Sequence, residues 1–333
     1  MKFLFLIMMI SGTLISISSN SWFGVWMGLE INLLSFVPLM SSTKNVFSSE
    51  ASLKYFLVQA MASSIILFSI INLSFTSKIF DEMNSFIYSL NQWTLLTSLM
   101  LKMGAAPLHF WFPGVMNGLT WSNCLILMVW QKIAPMMLIS LLESISIMMM
   151  MSILMSVIVG SIGGLSQMSI RKILAYSSIN HIGWMLAAMI LSQNLWMIYF
   201  MIYSLISATI VVLMLVNQLF HLNQTMFVEK NSLMKFALFT NLLSLGGLPP
   251  FLGFLPKWLV IQNMTGFTYI MIIMVVMTLM TLFYYMRMSY SAFLITNTKN
   301  TWMMNSKNNL LNNVSYIASS ISMMGLLISL LMI

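Results

Sequence analysis

Apolar runs of 18 or more residues follow one another through the 333-residue chain with hardly a pause. Runs of that length match the hydrocarbon thickness of a bilayer when wound as α-helices, and a bilayer admits only structures whose backbone polar groups are satisfied internally. Charged residues make up 6% of the chain. A soluble domain carries roughly a quarter, so both a soluble fold and a disordered chain are excluded. The fold class that remains is an all-α polytopic membrane protein.

Apolar windows and their polar punctuation predict about eleven transmembrane helices. They run over 2–19, 22–41, 50–74, 86–117 (interrupted), 121–142, 147–166, 169–192, 194–220, 233–263 (interrupted), 267–294 and 309–331. The start, Met1-Lys2 and then Phe3 to Ser18, has the outline of a signal peptide but reads better as the first span, and it lacks the Arg-rich amphipathic pattern of a presequence. A single cysteine, Cys124, excludes a disulfide framework, a Cys-ligated zinc site and an iron–sulfur cluster held by this chain. The 38 methionines are spread along every run and are read as coding bias with some gap filling, not as a copper-binding stripe.

The charges in loops set orientation. With the N-terminus and alternate loops on one side, that side holds Lys2, Lys44, Lys54, Arg171, Lys172, Lys230, Lys235, Lys299 and Lys307 against Glu50 and Glu229. The other holds Lys78 with Asp81, Glu82 and Glu143. The positive-inside rule then puts the N-terminus on the cytoplasmic or matrix side and, with an odd number of spans, the C-terminus opposite. The net charge of +8 is a topology signal and no nucleic-acid footprint.

An internal repeat is visible. Gly104-Ala-Ala-Pro107-Leu-His-Phe-Trp-Phe-Pro113 matches Gly247-Leu-Pro-Pro250-Phe-Leu-Gly-Phe-Leu-Pro256, each Gly or Pro lying 143 residues after its counterpart. Both stretches fall in the interrupted spans, four and nine. A period of five spans inverts the second copy relative to the first, the pattern of transporters whose broken helices free backbone groups at midmembrane. The expected organisation is therefore a first five-helix repeat over 1–145, a second, inverted one over 146–295, and a C-terminal transmembrane helix in 296–333. Kinks in tightly packed helices are the plainer alternative.

Four charges lie well inside predicted spans: Glu30, Lys102, Lys132 and Lys257. Each costs roughly 2.5–3.5 kcal/mol at a helix centre unless it pairs or meets water. Glu30 follows Gly24-x-x-x-Gly28, a small-residue motif for close helix approach, and its natural partner is Lys102, immediately before the first break. Lys132 stands in Trp130-Gln-Lys-Ile-Ala-Pro135, and Lys257 follows the second break. A carboxylate that moves could switch a buried lysine between holding and releasing a proton, so the four are candidates for a proton relay, with a static ion pair as the alternative. His181, with Ser177 one turn before it, and His109, inside the first break, are relay candidates or hydrogen-bonded core residues. His221 is placed near a membrane surface. No nucleotide motif is present, and Gly160-x-x-Gly163-Gly164 reads as helix packing.

The stretches around Glu30, Lys102 and Lys132, with Ser177-Ser-Ile-Asn-His-Ile-Gly-Trp184 and Leu245-Gly-Gly-Leu-Pro-Pro-Phe-Leu-Gly-Phe-Leu-Pro-Lys-Trp258, resemble the subunit 2 family of animal mitochondrial NADH:ubiquinone oxidoreductase, respiratory complex I. The resemblance covers nearly the whole chain and weakens after Ile295. It implies an antiporter-like, proton-translocating core subunit of the membrane arm, with Glu30, Lys102, Lys132 and Lys257 on a central hydrophilic axis. Some sister subunits carry Glu in place of Lys257. The resemblance also implies neighbouring antiporter-like and small membrane subunits as partners. NADH, FMN, iron–sulfur clusters and ubiquinone are then bound by other subunits, and no cofactor by this chain beyond phospholipid. The location implied is the mitochondrial inner membrane, N-terminus in the matrix and C-terminus in the intermembrane space. A stand-alone cation/proton antiporter and a non-pumping structural subunit are the competing readings.

Overall fold

Without water to take up backbone donors and acceptors, the apolar runs wind into helices. The computed structural model describes residues 2–42, 45–79, 84–142, 147–226, 232–294, 319–320 and 323. Every extended element among them is helical. The chain divides into two compact units, Met1–Ser152 and Ile153–Ile333.

The first unit is built from α1 (Lys2–Ser18), α2 (Trp22–Met40), α3 (Val46–Ile79), α4 (Asn84–Met103), α5 (Trp111–Gly118), α6 (Trp121–Leu125), a π-helical turn (Ile126–Trp130) and α7 (Gln131–Ser140). Helix α8 (Ile147–Leu165) spans the division. The second unit continues with α9 (Ile170–Leu191), α10 (Gln193–Asn217), the short α11 (Leu222–Met226), α12 (Ser232–Gly246), α13 (Phe254–Asn263) and α14 (Thr268–Leu294). Among the described residues, seven helical stretches are long and apolar enough to cross a membrane, and Lys2–Ser18 and Phe236–Gly246 are shorter apolar helices. The span expected at 309–331, the segment 296–333, and the loop charges Lys44, Asp81, Glu82, Glu143, Glu229, Lys230, Lys299 and Lys307 lie outside the described residues, apart from Ser319, Ser320 and Met323.

Polar side chains inside these helices are mostly satisfied locally. Ser16, Ser69, Ser98, Ser156 and Ser244 are buried, and each donates its hydroxyl to the carbonyl three residues earlier. Such back-bonding lets a helix carry hydroxyls through lipid without exposing an unpaired group.

In the first unit, α2 packs between α1 and α3, and α4 packs on α3 and α7. The approach of α1 to α2 is backbone against backbone. A Cβ on Gly28 would stand 2.5 Å from the Ser16 nitrogen and 2.8 Å from the Gly12 carbonyl oxygen, and one on Gly12 would stand 2.8 Å from the Asn32 nitrogen. The contact lies directly before Glu30 and Asn32 and sets their depth. In the second unit Gly160 makes the same kind of approach between α8 and α9, a Cβ there coming 2.6 Å from the Asn180 nitrogen, while a Cβ on Gly183 would meet the Ser156 and Val157 side chains of α8.

Gly28→Leu should force α1 and α2 apart and cost about 1–3 kcal/mol. The check is the thermal unfolding midpoint of the purified chain in lipid nanodiscs. Gly114→Ala is the control. It lies inside α5 with no atom within 4 Å of the new Cβ, and should leave the midpoint unchanged or slightly raised.

Candidate functional site

Two of the predicted spans are interrupted where glycine and proline fall, and each interruption carries one of the candidate lysines. Helix α4 ends at Met103, followed by Gly104 at φ 75°. Helix α12 ends at Gly246, followed by Gly247 at φ 83°. Left-handed glycines end both helices with the same hydrogen bonds. Ala105 N–H donates to the Met100 carbonyl (3.1 Å) and Gly104 N–H to the Leu101 carbonyl (3.2 Å). Their counterparts 143 residues on are Leu248 N–H to the Leu243 carbonyl (3.5 Å) and Gly247 N–H to the Ser244 carbonyl (3.0 Å).

The lysines stand differently at the two breaks. Lys102 lies in the last turn of α4, before the first break. The carbonyls around it are taken by other side chains: Trp111 Nε1 donates to the Leu101 carbonyl (3.1 Å) and Gln59 Nε2 to the Lys102 carbonyl (3.2 Å). Lys102 itself lines a small cavity together with Leu29, Asn32, Leu33, Tyr55, Gln59, Gln131 and Pro135. Lys257 lies on α13, after the second break, and turns its ammonium back onto α12. It donates to the Gly246 carbonyl (2.9 Å) and the Leu245 carbonyl (3.3 Å), filling the role of a cation at a helix C-terminus.

Lys102, Lys132 and Lys257 are 6%, 1% and 4% exposed, and Glu30 is half-buried. Glu30 is the carboxylate whose field acts on Lys102. The two do not close an ion pair: the salt bridge within 4 Å among the described residues joins Lys54 and Glu50 on exposed α3 positions. Lys132 sits at the start of α7, directly after the π turn, with its ammonium 5.6 Å from the centre of the Phe112 ring. A desolvated cation over a ring face is stabilised by the ring quadrupole.

His109 sits in the first break, buried, its Nδ1 3.2 Å from the Pro107 carbonyl oxygen and its ring against Phe110. His181 is buried in α9, and its Nδ1 is 2.9 Å from the Tyr199 hydroxyl of α10, with the Tyr203 ring 5.0 Å away. Ser177, one turn before His181 on α9, donates its hydroxyl to the Leu174 carbonyl. His221 is exposed and forms a lone antiparallel bridge with Ser169. Among the described residues no three His, Cys, Asp or Glu side chains gather where a metal ion could be held.

The first unit thus brings Lys102 together with four polar side chains that the sequence did not single out. Asn32 and Gln131 form a reciprocal amide pair, Asn32 Nδ2 donating to Gln131 Oε1 (2.9 Å) and Gln131 Nε2 donating to Asn32 Oδ1 (3.1 Å). The Tyr55 hydroxyl donates to the same Gln131 oxygen (3.4 Å). With Gln59 these residues make a polar lining around Lys102. The available signal was their type: an amide inside a membrane span must find a partner there.

Comparison with known proteins agrees with this architecture. A family model described as NADH:quinone oxidoreductase/Mrp antiporter, TM, matches residues 19–283. The chain is 55% identical over 328 residues to NADH-ubiquinone oxidoreductase chain 2 of Anopheles gambiae, covering 97% of this chain and 95% of that one. It is 46% identical to the protein of the same name from Locusta migratoria, covering 98% and 95%. In fold it is similar to a chain of respiratory complex I from Thermus thermophilus with bound aureothin (TM-score 0.87, 23% identity, 99% of this chain and 79% of that one). A chain of the Mrp complex from Dietzia is also similar in fold (TM-score 0.84, 16% identity, 98% and 75%).

Gly247→Ala should cost about 1–2 kcal/mol from the left-handed backbone alone. It also crowds Lys257, because the new Cβ lies 3.0 Å from both Cδ and Nζ of that side chain. The neighbouring Gly246→Ala meets nothing nearer than 3.5 Å and should be close to neutral. Unfolding midpoints of the two variants, compared in the same lipid, check the difference.

Proposed function

The chain belongs to the NADH:quinone oxidoreductase/Mrp antiporter transmembrane family, and from that premise we propose that it is a proton-translocating subunit in the membrane arm of an NADH:ubiquinone oxidoreductase. The observation that carries this reading is the burial of three lysines inside an apolar helical chain, each 6% exposed or less. Cationic side chains there cost roughly 2.5–3.5 kcal/mol each on insertion scales, and such residues mark proton or ion paths.

In this reading no electron passes through the chain. NADH, FMN, iron–sulfur clusters and ubiquinone are bound by other subunits of the assembly, and quinone reduction there supplies the driving force. What this chain does is hold and pass protons. Glu30 biases Lys102 through its field without binding it, so a change of charge at Glu30 alters how firmly Lys102 holds its proton. Lys132, resting on Phe112, is the next carrier in the first unit. In the second unit Lys257 is the carrier, its ammonium donating to the Gly246 and Leu245 carbonyls of α12. His181 and His109 are candidate intermediates, with the Tyr199 hydroxyl fixing the ring of His181.

The organisation that goes with this reading is two inverted five-helix repeats plus a C-terminal helix, about eleven spans in all. Two cap hydrogen bonds that recur at both breaks support the repeat. The location is the mitochondrial inner membrane with the N-terminus in the matrix, and the partners are adjacent antiporter-like and small membrane subunits.

Lys102→Met in the assembled complex should lower the number of protons moved per electron and slow coupled NADH oxidation, read in sealed vesicles with a pH-sensitive dye. An unchanged ratio with normal assembly would sink the role of Lys102. Glu30→Gln and Lys132→Met should assemble normally and lose pumping. A loss of assembled complex instead, with pumping per complex intact, would point to charges that only fix packing.

A further inference from the structure

Lys102 is buried, lines the cavity of the first unit, and has no hydrogen-bond partner for its ammonium among the described residues. The cavity offers about 10 Å³ to the centre of a water, the room that a single water needs. Its polar lining is Tyr55, Gln59, Asn32 and Gln131 around the lysine. A buried ammonium aimed at such a space is satisfied by a water that accepts from it and donates to an oxygen of the lining.

One wall of this space is made differently from the rest. Asn32 and Gln131 close on each other through both amide edges, 99 residues apart in sequence, and Tyr55 adds a third bond to the Gln131 oxygen. An amide neither ionises nor releases a proton near neutrality, so a pair closed on itself passes no proton onward. Gln131 also stands where its helix is weakest. The π turn Ile126–Trp130 ends at it, its own N–H reaching back to the Ile126 carbonyl. Pro135, one turn later, lacks the N–H that would bond the Gln131 carbonyl. The next residue is Lys132, which does not line the cavity.

We propose that the Asn32–Gln131 amide pair is a gate on a water site beside Lys102: closed, it confines the water to Lys102; opened by rotation of the Gln131 side chain, it lets water bridge Lys102 to Lys132. The inference rests on the proton-translocating reading above and adds the element that times the transfer. With the gate open, an N–H bond of the Lys102 ammonium breaks as an O–H bond forms on water. That water's own proton moves on and forms an N–H bond on the neutral Lys132 amine. One ammonium replaces the other, and no hydronium is stored. Gln131, Asn32 and Tyr55 act as positioning residues.

The test uses the assembled complex in sealed vesicles and reads protons per electron, coupled NADH oxidation and the amount of assembled complex. Gln131→Leu keeps a side chain of similar bulk and removes its hydrogen bonds. It should lower protons per electron and slow coupled oxidation roughly tenfold. The exchange Asn32→Gln with Gln131→Asn rebuilds the pair in reverse and should return both to within about twofold of the native values, a rescue that a merely structural role would not produce. Native coupling in Gln131→Leu, beside a Lys102→Met control that has lost pumping, overturns the gate and leaves the parent reading standing. Native pumping in Lys102→Met overturns both. Should Gln131→Leu fail to assemble, Tyr55→Phe removes a single hydroxyl and should lower protons per electron in the same direction; a native ratio there overturns the gate.

Discussion

Backbone carbonyls freed inside a membrane must be met by something, and that requirement organises both candidate sites. A helix that stops at midmembrane exposes its last carbonyls to a medium with no water, at a cost of several kcal/mol for each one left unpaired. At the first break the debt is met by Ala105 and Gly104 amides, the Trp111 indole and the Gln59 amide. At the second it is met by Leu248 and Gly247 amides and by the Lys257 ammonium. The caps are alike and the side chains that complete them are not.

That difference separates the two lysines physically. Because neutral side chains satisfy the carbonyls around it, Lys102 is left facing a polar cavity and a distant carboxylate. Its charge can respond to Glu30 without dismantling the end of its helix. Lys257 is part of the cap itself. Its ammonium supplies two of the bonds that close the second break, so the charge and the end of α12 are held by the same contacts. Equal residues at equivalent breaks therefore suit different tasks, one responding to a field and one tied to a hinge.

Helices, breaks and buried charges were legible in the sequence because each follows from a local rule. Run length predicts a span, Gly with Pro predicts an interruption, and a lysine in an apolar run predicts a site. The helix pairs around Gly12, Gly28, Gly160 and Gly183 extend the same logic to packing. The partners were not legible. Asn32 and Gln131 meet from helices far apart in the chain, and neither stands out beside the charged neighbours Glu30 and Lys132 that draw attention first. Tyr199 meets His181 from the next helix, a partner that nothing local to His181 in the sequence marks. The π turn before Gln131 leaves no periodic trace in a run that is apolar on every side.

The serines sharpen the meaning of the few unsatisfied groups. Membrane helices can carry polarity at little cost when a hydroxyl folds back on its own turn, and this chain does so repeatedly. The amides of Asn217 and Asn241 follow the same route, donating to the carbonyl four residues earlier; the Lys257 ammonium and the amides of Asn32 and Gln131 do not. Each must be met by another helix, by a freed carbonyl or by water. Lys257 takes the carbonyls, Asn32 and Gln131 take each other, and Lys102 is left with the cavity. Among the described residues, Lys102 is a buried ammonium whose neighbouring carbonyls are met by other groups and which lines the polar cavity of the first unit.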